Sequence, residues 1–453
     1  PFIAYGFAAL GATLVAWFAV ICTCAELPYA LFFAAMGVPL LAVSSLAFVA
    51  VLAATFAPIQ LGLGGYYSMN AFDLLFWAAA AYVFAGILLD ERPSTSRWLG
   101  LGVLLGLGLL NKISVLWLGG GIALGLLFTA RRRLLATRGP WLAAFVALVL
   151  FAPYLLWNLR LDFPTLEFMR HATAEKMQPV SALEFAAGQV SAMNWGALPL
   201  WLAGALWLLI SWRARALRPL GVAFVAVWLF LAFSGTARDS YAAPAYAIAL
   251  AAGGVAFASL TPTWRRATLV SLALAIVAFG ALSAPFVLPI LPVDSFVRYQ
   301  AALGEKPSTS EKKEIGELPQ HWADRHGWLE IVAPFEEAWK RLTPRERKHA
   351  AIVASNYGVA GAIDHYGPAR GLPNAVSGHN NYWLWGPPSS STEVVLVHSR
   401  DEGRLRQLFG SVTLQGRIAC GRCMPYENGM GVWICKQPRQ PLAAIWNSVK
   451  HFD

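Results

Sequence analysis

A polytopic α-helical membrane protein with a C-terminal soluble α/β domain is the fold class this sequence predicts, and three observations predict it. Of its 453 residues, 57% are hydrophobic and 13% charged, where a water-soluble domain has roughly a quarter charged. Apolar runs of about 20 residues, the length of a helix crossing a hydrocarbon core, recur as far as residue 290. From Ser295 onward the composition turns polar. The chain therefore divides into a transmembrane domain over 1–294, of about ten or eleven helices, and an extramembrane α/β domain over 295–453.

Charge orients the spans. The net charge of +10 lies largely in short clusters between apolar runs: Arg131, Arg132, Arg133 and Arg138; Arg213, Arg215 and Arg218; Arg265 and Arg266. Basic loops mark the cytoplasmic face of a membrane protein, and this pattern excludes a nucleic-acid partner. With the clusters cytoplasmic, 141–157 exits, 195–212 returns, 219–234 exits, 241–260 returns and 267–290 exits. Residues 159–193 and everything after 295 are then outside. Upstream, 72–89 descends to a loop at 90–97, and two short helices meeting near Asn111 and Lys112 fill the interval to Arg131. The stretch 27–62 is too long for one ordinary span and too short for two. The chain opens on Pro1 in an apolar run with no basic n-region, so an N-terminal truncation is expected rather than a signal peptide.

In the outer domain, 350–355 and 393–398 read as strands, with helices at 329–341 and 401–409. Cys420, Cys423 and Cys435 supply three thiols. A structural zinc site needs four ligands, so a disulfide plus one spare thiol is expected, unless His379 or His398 completes the set.

Ionisable groups at the ends of membrane helices are functional candidates, because an unpaired charge in lipid costs several kcal/mol. Four external clusters qualify. The first, 64–73, carries Tyr67, Asn70 and Asp73; the second is Asn111 with Lys112; the third, 235–244, carries Arg238, Asp239 and Tyr241; the fourth is 159–193, with Asp162, Glu167, Arg170 and His171. Each also has a plain structural reading. Asp73 suits a helix N-terminus, Lys112 a snorkelling position, Arg238 and Asp239 each other, and the long loop an interfacial amphipathic face. In the outer domain Tyr382, Trp383 and Trp385 beside His379, Asn380 and Asn381 offer flat apolar faces and amides to an acceptor or glycan, or fill a core.

Several of these stretches carry a resemblance. Tyr66-Tyr67-Ser68-Met69-Asn70-Ala71-Phe72-Asp73, Gly106-Leu107-Gly108-Leu109-Leu110-Asn111-Lys112, Asp162-Phe163-Pro164-Thr165-Leu166-Glu167 and Arg238-Asp239-Ser240-Tyr241-Ala242-Ala243-Pro244 resemble bacterial PMT-like (protein O-mannosyltransferase-like) glycosyltransferases of family 39, over most of the membrane region. The resemblance implies a GT-C fold that transfers a hexosyl or pentosyl unit from a polyprenyl-phosphate carrier to an envelope lipid, glycan or protein, outside the cytoplasm of a bacterial inner membrane. Such a transfer needs a base for the acceptor hydroxyl and cations for the departing lipid phosphate. Lys112, Arg238 and Tyr241 suit the phosphate; Tyr67, Asn70, Asp239, Asp162 and His379 are acceptor or supporting candidates. The family's principal catalytic acid lies in the first external loop, and no acidic residue precedes Glu26 here. Asp73 is then the best remaining catalytic carboxylate, near acceptor or metal. No metal ligands are assigned, and a divalent cation is the one candidate cofactor.

Two other classes stay open. A secondary transporter or flippase would show paired broken helices in two halves, whereas one such pair is evident, at 98–129. A non-enzymatic scaffold would present its outer domain to envelope glycan.

Overall fold

The computed structural model describes residues 40–258 and 262–453. The expectations for 1–39, including Cys22, Cys24 and Glu26, fall outside these residues. Two compact units emerge: Pro1–Arg160 with Pro179–Pro292, and Leu161–Gln178 with Val293–Asp453.

In the first unit, α1 (Leu40–Thr55) stops short of Pro58, which opens α2 (Pro58–Gly64), as a proline disfavours helix in the residue before it. Ser68 caps α3 (Met69–Leu89) by accepting the Asn70 N–H. Helices α4 (Thr95–Asn111) and α5 (Val115–Leu127) meet at a break over Lys112, Ile113 and Ser114, where the sequence places one. The unit continues through α6 (Arg138–Arg160) and, after α7 (Pro164–His171) of the other unit, through α8 (Ala182–Ala192), α9 (Leu198–Ile210), α10 (Arg218–Ala232), α11 (Tyr246–Ala258) and α12 (Pro262–Val287). Among the described residues, four helices are long and apolar enough to cross a membrane, or six if each of two sharply bent pairs is one span.

Lipid offers helices no hydrophobic drive to associate, so close van der Waals packing must hold them, and small residues permit it. Glycines do so here. A Cβ on Gly102 of α4 would lie 2.6 Å from the Ala143 carbonyl of α6, one on Gly125 of α5 2.2 Å from the Pro219 carbonyl of α10, and one on Gly204 of α9 1.9 Å from the Ala249 carbonyl of α11.

The two ends of α3 differ in charge. At its C-terminal end Arg97 bonds Asp90 at 2.9 Å and the Gly86 carbonyl at 3.0 Å, and Arg131 donates to the Leu88 carbonyl. Two basic segments assigned to one face thus gather at one end of one helix. At the other end Asn111 donates to the Met69 carbonyl at 2.9 Å, so the break between α4 and α5 lies opposite them.

The second unit opens its C-terminal part with α13 (Val293–Ala302) and centres on a five-stranded sheet in the order β2-β1-β3-β5-β4. Its strands are β1 (Ala350–Ala354), β2 (Ala375–Ser377), β3 (Val394–Ser399), β4 (Phe409–Arg417) and β5 (Gly431–Pro438). β1 pairs in parallel with β2 and β3; β5 runs antiparallel between β3 and β4. Helices α14 (Trp328–Lys340) and α15 (Tyr357–Tyr366) cover one face, Phe335 and Ile363 packing on Ile352 and Leu396. Helix α16 (Glu402–Leu408) covers the other, with Leu405 against Val395 and Trp433. Both expected strands and both expected helices are present. Cys420 and Cys423 form a disulfide and Cys435 is a buried free thiol, which leaves no thiolate set for zinc.

Residues 161–178 differ from expectation. The sequence reading keeps all of 159–193 in the membrane domain as interfacial helices, yet Lys312 donates its backbone N–H to Lys176 at 2.8 Å, Gln178 donates its own to Ser310 at 3.1 Å, and Lys450 pairs with Glu167 at 2.7 Å. This strap folds with the C-terminal domain. Its partners, such as Glu311 for Gln178, stand 133 residues along the chain, beyond the reach of any local pattern.

Burial, reinforced by the charges of Glu311 and Glu427, raises Asp324 from 3.8 to about 6. A carboxyl raised in the folded state opposes folding once it must ionise. The cost is absent below about pH 4 and grows to roughly 3 kcal/mol above about pH 6. Asp324→Asn is therefore expected to stabilise this unit by up to about 3 kcal/mol near pH 7.5 and by nothing near pH 4. Protection of the buried Cys435 thiol from labelling measures it; equal stabilisation at both pH values would contradict it.

Candidate functional site

Three of the four candidate clusters converge in the first unit around Asp73. Capped by Ser68, α3 turns this carboxylate inward, where it is 1% exposed. Its Oδ2 accepts from Lys112 Nζ at 3.2 Å and from Ser114 Oγ at 2.9 Å. Lys112 ends α4, and its ammonium also stands 5.7 Å from the centre of the Tyr241 ring. Tyr241 tilts against Trp117 of α5, with ring centres 5.8 Å apart. Asp239, which opens the same turn, accepts from Gln189 Nε2 of α8 at 3.2 Å through its carbonyl and 3.4 Å through its carboxylate. Gly188 makes room, since a Cβ there would lie 2.4 Å from that carboxylate.

An ammonium group with 11% of its side chain exposed is tenable in a membrane protein only with a counter-charge and a polarisable neighbour. Asp73 supplies the first and the Tyr241 face the second. The arrangement is a fixed cation in a low-dielectric setting, at the end of α3 away from the basic clusters. Such a group is suited to an incoming anion, since it needs no reorganisation to meet it.

The structure brings together Asp73, Lys112, Tyr241 and Asp239, with Arg238 immediately before Asp239 on the same turn. Asn70 instead belongs to the cap, its amide 3.4 Å from Ser68 Oγ, and Tyr67 is 94% exposed against Phe72. Asp162 and His379 lie in the second unit. Asp162 is an exposed residue in the left-handed region just before α7.

Residues 1–157, which include Asp73 and Lys112, match the family described as dolichyl-phosphate-mannose-protein mannosyltransferase. A crystal structure of ArnT from Cupriavidus metallidurans bound to undecaprenyl phosphate is similar to 92% of this chain over 83% of its own, at 13% identity and a TM-score of 0.51. The chain shares the fold of this ArnT, a GT-C fold. The apo structure of the same ArnT is similar over 91% of this chain and 82% of its own, at 15% identity and a TM-score of 0.50. No curated protein matches the chain.

On this GT-C fold, the residues around Asp73 do not fit a divalent cation. The Asp73 Oδ2 already holds an ammonium and a hydroxyl; Oδ1 has no hydrogen-bond partner, but among the described residues no three His, Cys, Asp or Glu side chains gather there, so a divalent cation would meet a single carboxylate with an ammonium beside it, short of the oxygen ligands it takes. In the second unit His379, His451 and Asp453 do approach one another. His379 Nδ1, however, accepts the Tyr357 N–H at 3.4 Å while Nε2 bonds Asp453 at 3.2 Å, so the ring has no lone pair left for a metal. That bond also holds Asp453 down at about 2. Tyr382 and Trp383 act as core anchors, through Asp364 at 2.8 Å and the Trp446 carbonyl at 3.1 Å, which leaves Trp385 as the exposed ring.

Sequence reasoning missed Ser114 and Gln189. Ser114 stands two residues past Lys112 in the break, and Gln189 is a buried amide on an otherwise apolar stretch. The second was a legible signal; the first was not.

Proposed function

We propose that this chain is a glycosyltransferase that moves a hexosyl or pentosyl unit from a polyprenyl-phosphate-linked donor to a lipid, glycan or protein acceptor, on the extracytoplasmic side of a bacterial inner membrane. One observation carries the reading: Lys112, ion-paired to Asp73 at a helix break and beside the turn of Arg238 and Tyr241, on a PMT-like fold. Of the two solved ArnT structures that share the fold, one holds undecaprenyl phosphate.

In the transfer, the acceptor oxygen attacks the anomeric carbon and loses its proton to a base. The bond from that carbon to the phosphate oxygen breaks, and the lipid phosphate departs with the electron pair. Lys112 and Arg238 meet the charge that develops on it, and the Tyr241 hydroxyl donates alongside. Asp73 keeps Lys112 aimed, a positioning role rather than that of the base. Asp239, Tyr67 and Asn70 are assigned to the acceptor side. Asp162 and His379 receive no role in this step.

The side of the membrane is supported by charge, because Arg97 and Arg131 gather at the end of α3 opposite Asp73 and basic loops stay cytoplasmic. The strap 161–178 lies between membrane helices yet pairs with residues 310–312, which supports one side for the strap and the C-terminal domain. The Cys420–Cys423 disulfide accords with an oxidising compartment.

In proteoliposomes given a panel of radiolabelled polyprenyl-phosphate sugars and envelope lipids, the chain is expected to release polyprenyl phosphate from at least one donor. Absence of release from every donor would move the reading to a scaffold or a transporter.

A further inference from the structure

The second unit contains a cavity of 430 Å³ at the carboxyl ends of β1 and β3. From β1 the chain crosses to β2 on one side, while β3 lies on the other. Open α/β sheets bind their ligands at such a switch point. The wall is apolar, built by Val397, Leu405, Ile445 and Trp446, and Arg404 and Lys450 are the Arg and Lys residues of the lining, which contains no acidic residue. A mostly apolar cleft of this size with a few convergent polar groups is the usual form of a small-molecule site.

We infer that this cavity binds a small organic anion with an apolar body, such as an aryl or alkyl phosphate, whose charge is met by Arg404 and Lys450. His398, also in the lining and 2% exposed, bonds Ser355 through Nδ1 at 2.7 Å and leaves Nε2 without a partner. Burial pushes this imidazole down to about 4 and also lowers that of His451, the other histidine in the lining, so the positive charge at the cavity comes from Arg404 and Lys450. Arg404 is exposed and makes one long bond, 3.3 Å, to the Ser448 carbonyl. Lys450 lies 4.7 Å from the Trp383 ring centre and is paired at 2.7 Å with Glu167 of the strap. Glu167 thus supplies the anion that a ligand would replace, and ligand binding and strap docking must oppose each other through that lysine.

The test uses the full chain in lipid nanodiscs, with empty nanodiscs as blank, and equilibrium dialysis against 1-naphthyl phosphate, 1-naphthol and inorganic phosphate. Naphthyl phosphate is expected to bind stoichiometrically and at least about tenfold more tightly than naphthol or inorganic phosphate. Arg404→Gln is expected to weaken it about tenfold, and Glu167→Gln to strengthen it several-fold by releasing Lys450. Neither side chain is buried, so both variants keep the fold, which circular dichroism verifies. Naphthol binding as tightly as its phosphate ester, no effect of either substitution, or no saturable binding above the blank would each overturn the proposal. No sugar donor is present, so the outcome is independent of the transferase reading.

Discussion

Lys112→Met is expected to lower sugar transfer by about 100-fold or more and to destabilise the first unit by about 3–5 kcal/mol. Two separate effects add here. The catalytic loss follows from removing a preorganised cation from the departing phosphate. The stability loss follows from leaving Asp73, 1% exposed, with only the Ser114 hydroxyl for a partner. Asp73→Asn alone should destabilise to a similar extent, because it strands the lysine. The double variant Asp73→Asn with Lys112→Met should return to within about 1 kcal/mol of the parent, since no buried charge then remains uncompensated. Transfer should stay lost. Unfolding in nanodiscs and turnover of the identified donor separate these effects; a double variant that transfers at the parental rate would remove Lys112 from the mechanism.

Gly204→Leu is expected to prevent α9 and α11 from packing and to lower the yield of folded chain severely. The Cβ would meet backbone, at 1.9 Å from the Ala249 carbonyl and 2.4 Å from the Gly253 nitrogen, and backbone has no rotamer by which to give way. The helices would have to separate, which also opens the edge-on contact of Trp201 and Tyr246, now 5.4 Å between ring centres. Ordinary overpacking costs about 1–3 kcal/mol; two backbones forced apart in lipid should exceed that. Gly119→Ala and Gly120→Ala are the controls, as a Cβ at either position meets nothing within 4 Å. Monodispersity on size exclusion and thermal stability of the three variants decide the matter. Normal folding of Gly204→Leu would mean the helices are not held by this contact.

How far the sequence could be read depended on distance along the chain. The break after Asn111 was legible because two apolar segments too short to span separately flank a lysine. Strands β1 and β3 were legible because buried parallel strands are continuous apolar runs. β4 was not, since its residues are largely exposed or half-buried and include Gly410 and Gly416, and β2 is three residues long. Asp73 and Lys112 could each be named as ionisable groups that lipid would not tolerate alone, but that they pair was not readable.

Composition, the basic clusters and the apolar runs determined by themselves that this is a multi-pass membrane protein with an α/β domain, because solvent preference and helical or strand periodicity act on neighbouring residues. The tertiary structure alone decided that Ser114 reaches Asp73 across 41 residues, that the strap belongs to the C-terminal domain, and that Arg404 and Lys450 line one cavity. Those contacts are chosen by the packing of segments remote in sequence, and the energy that selects them exists only once the helices and the sheet have come together.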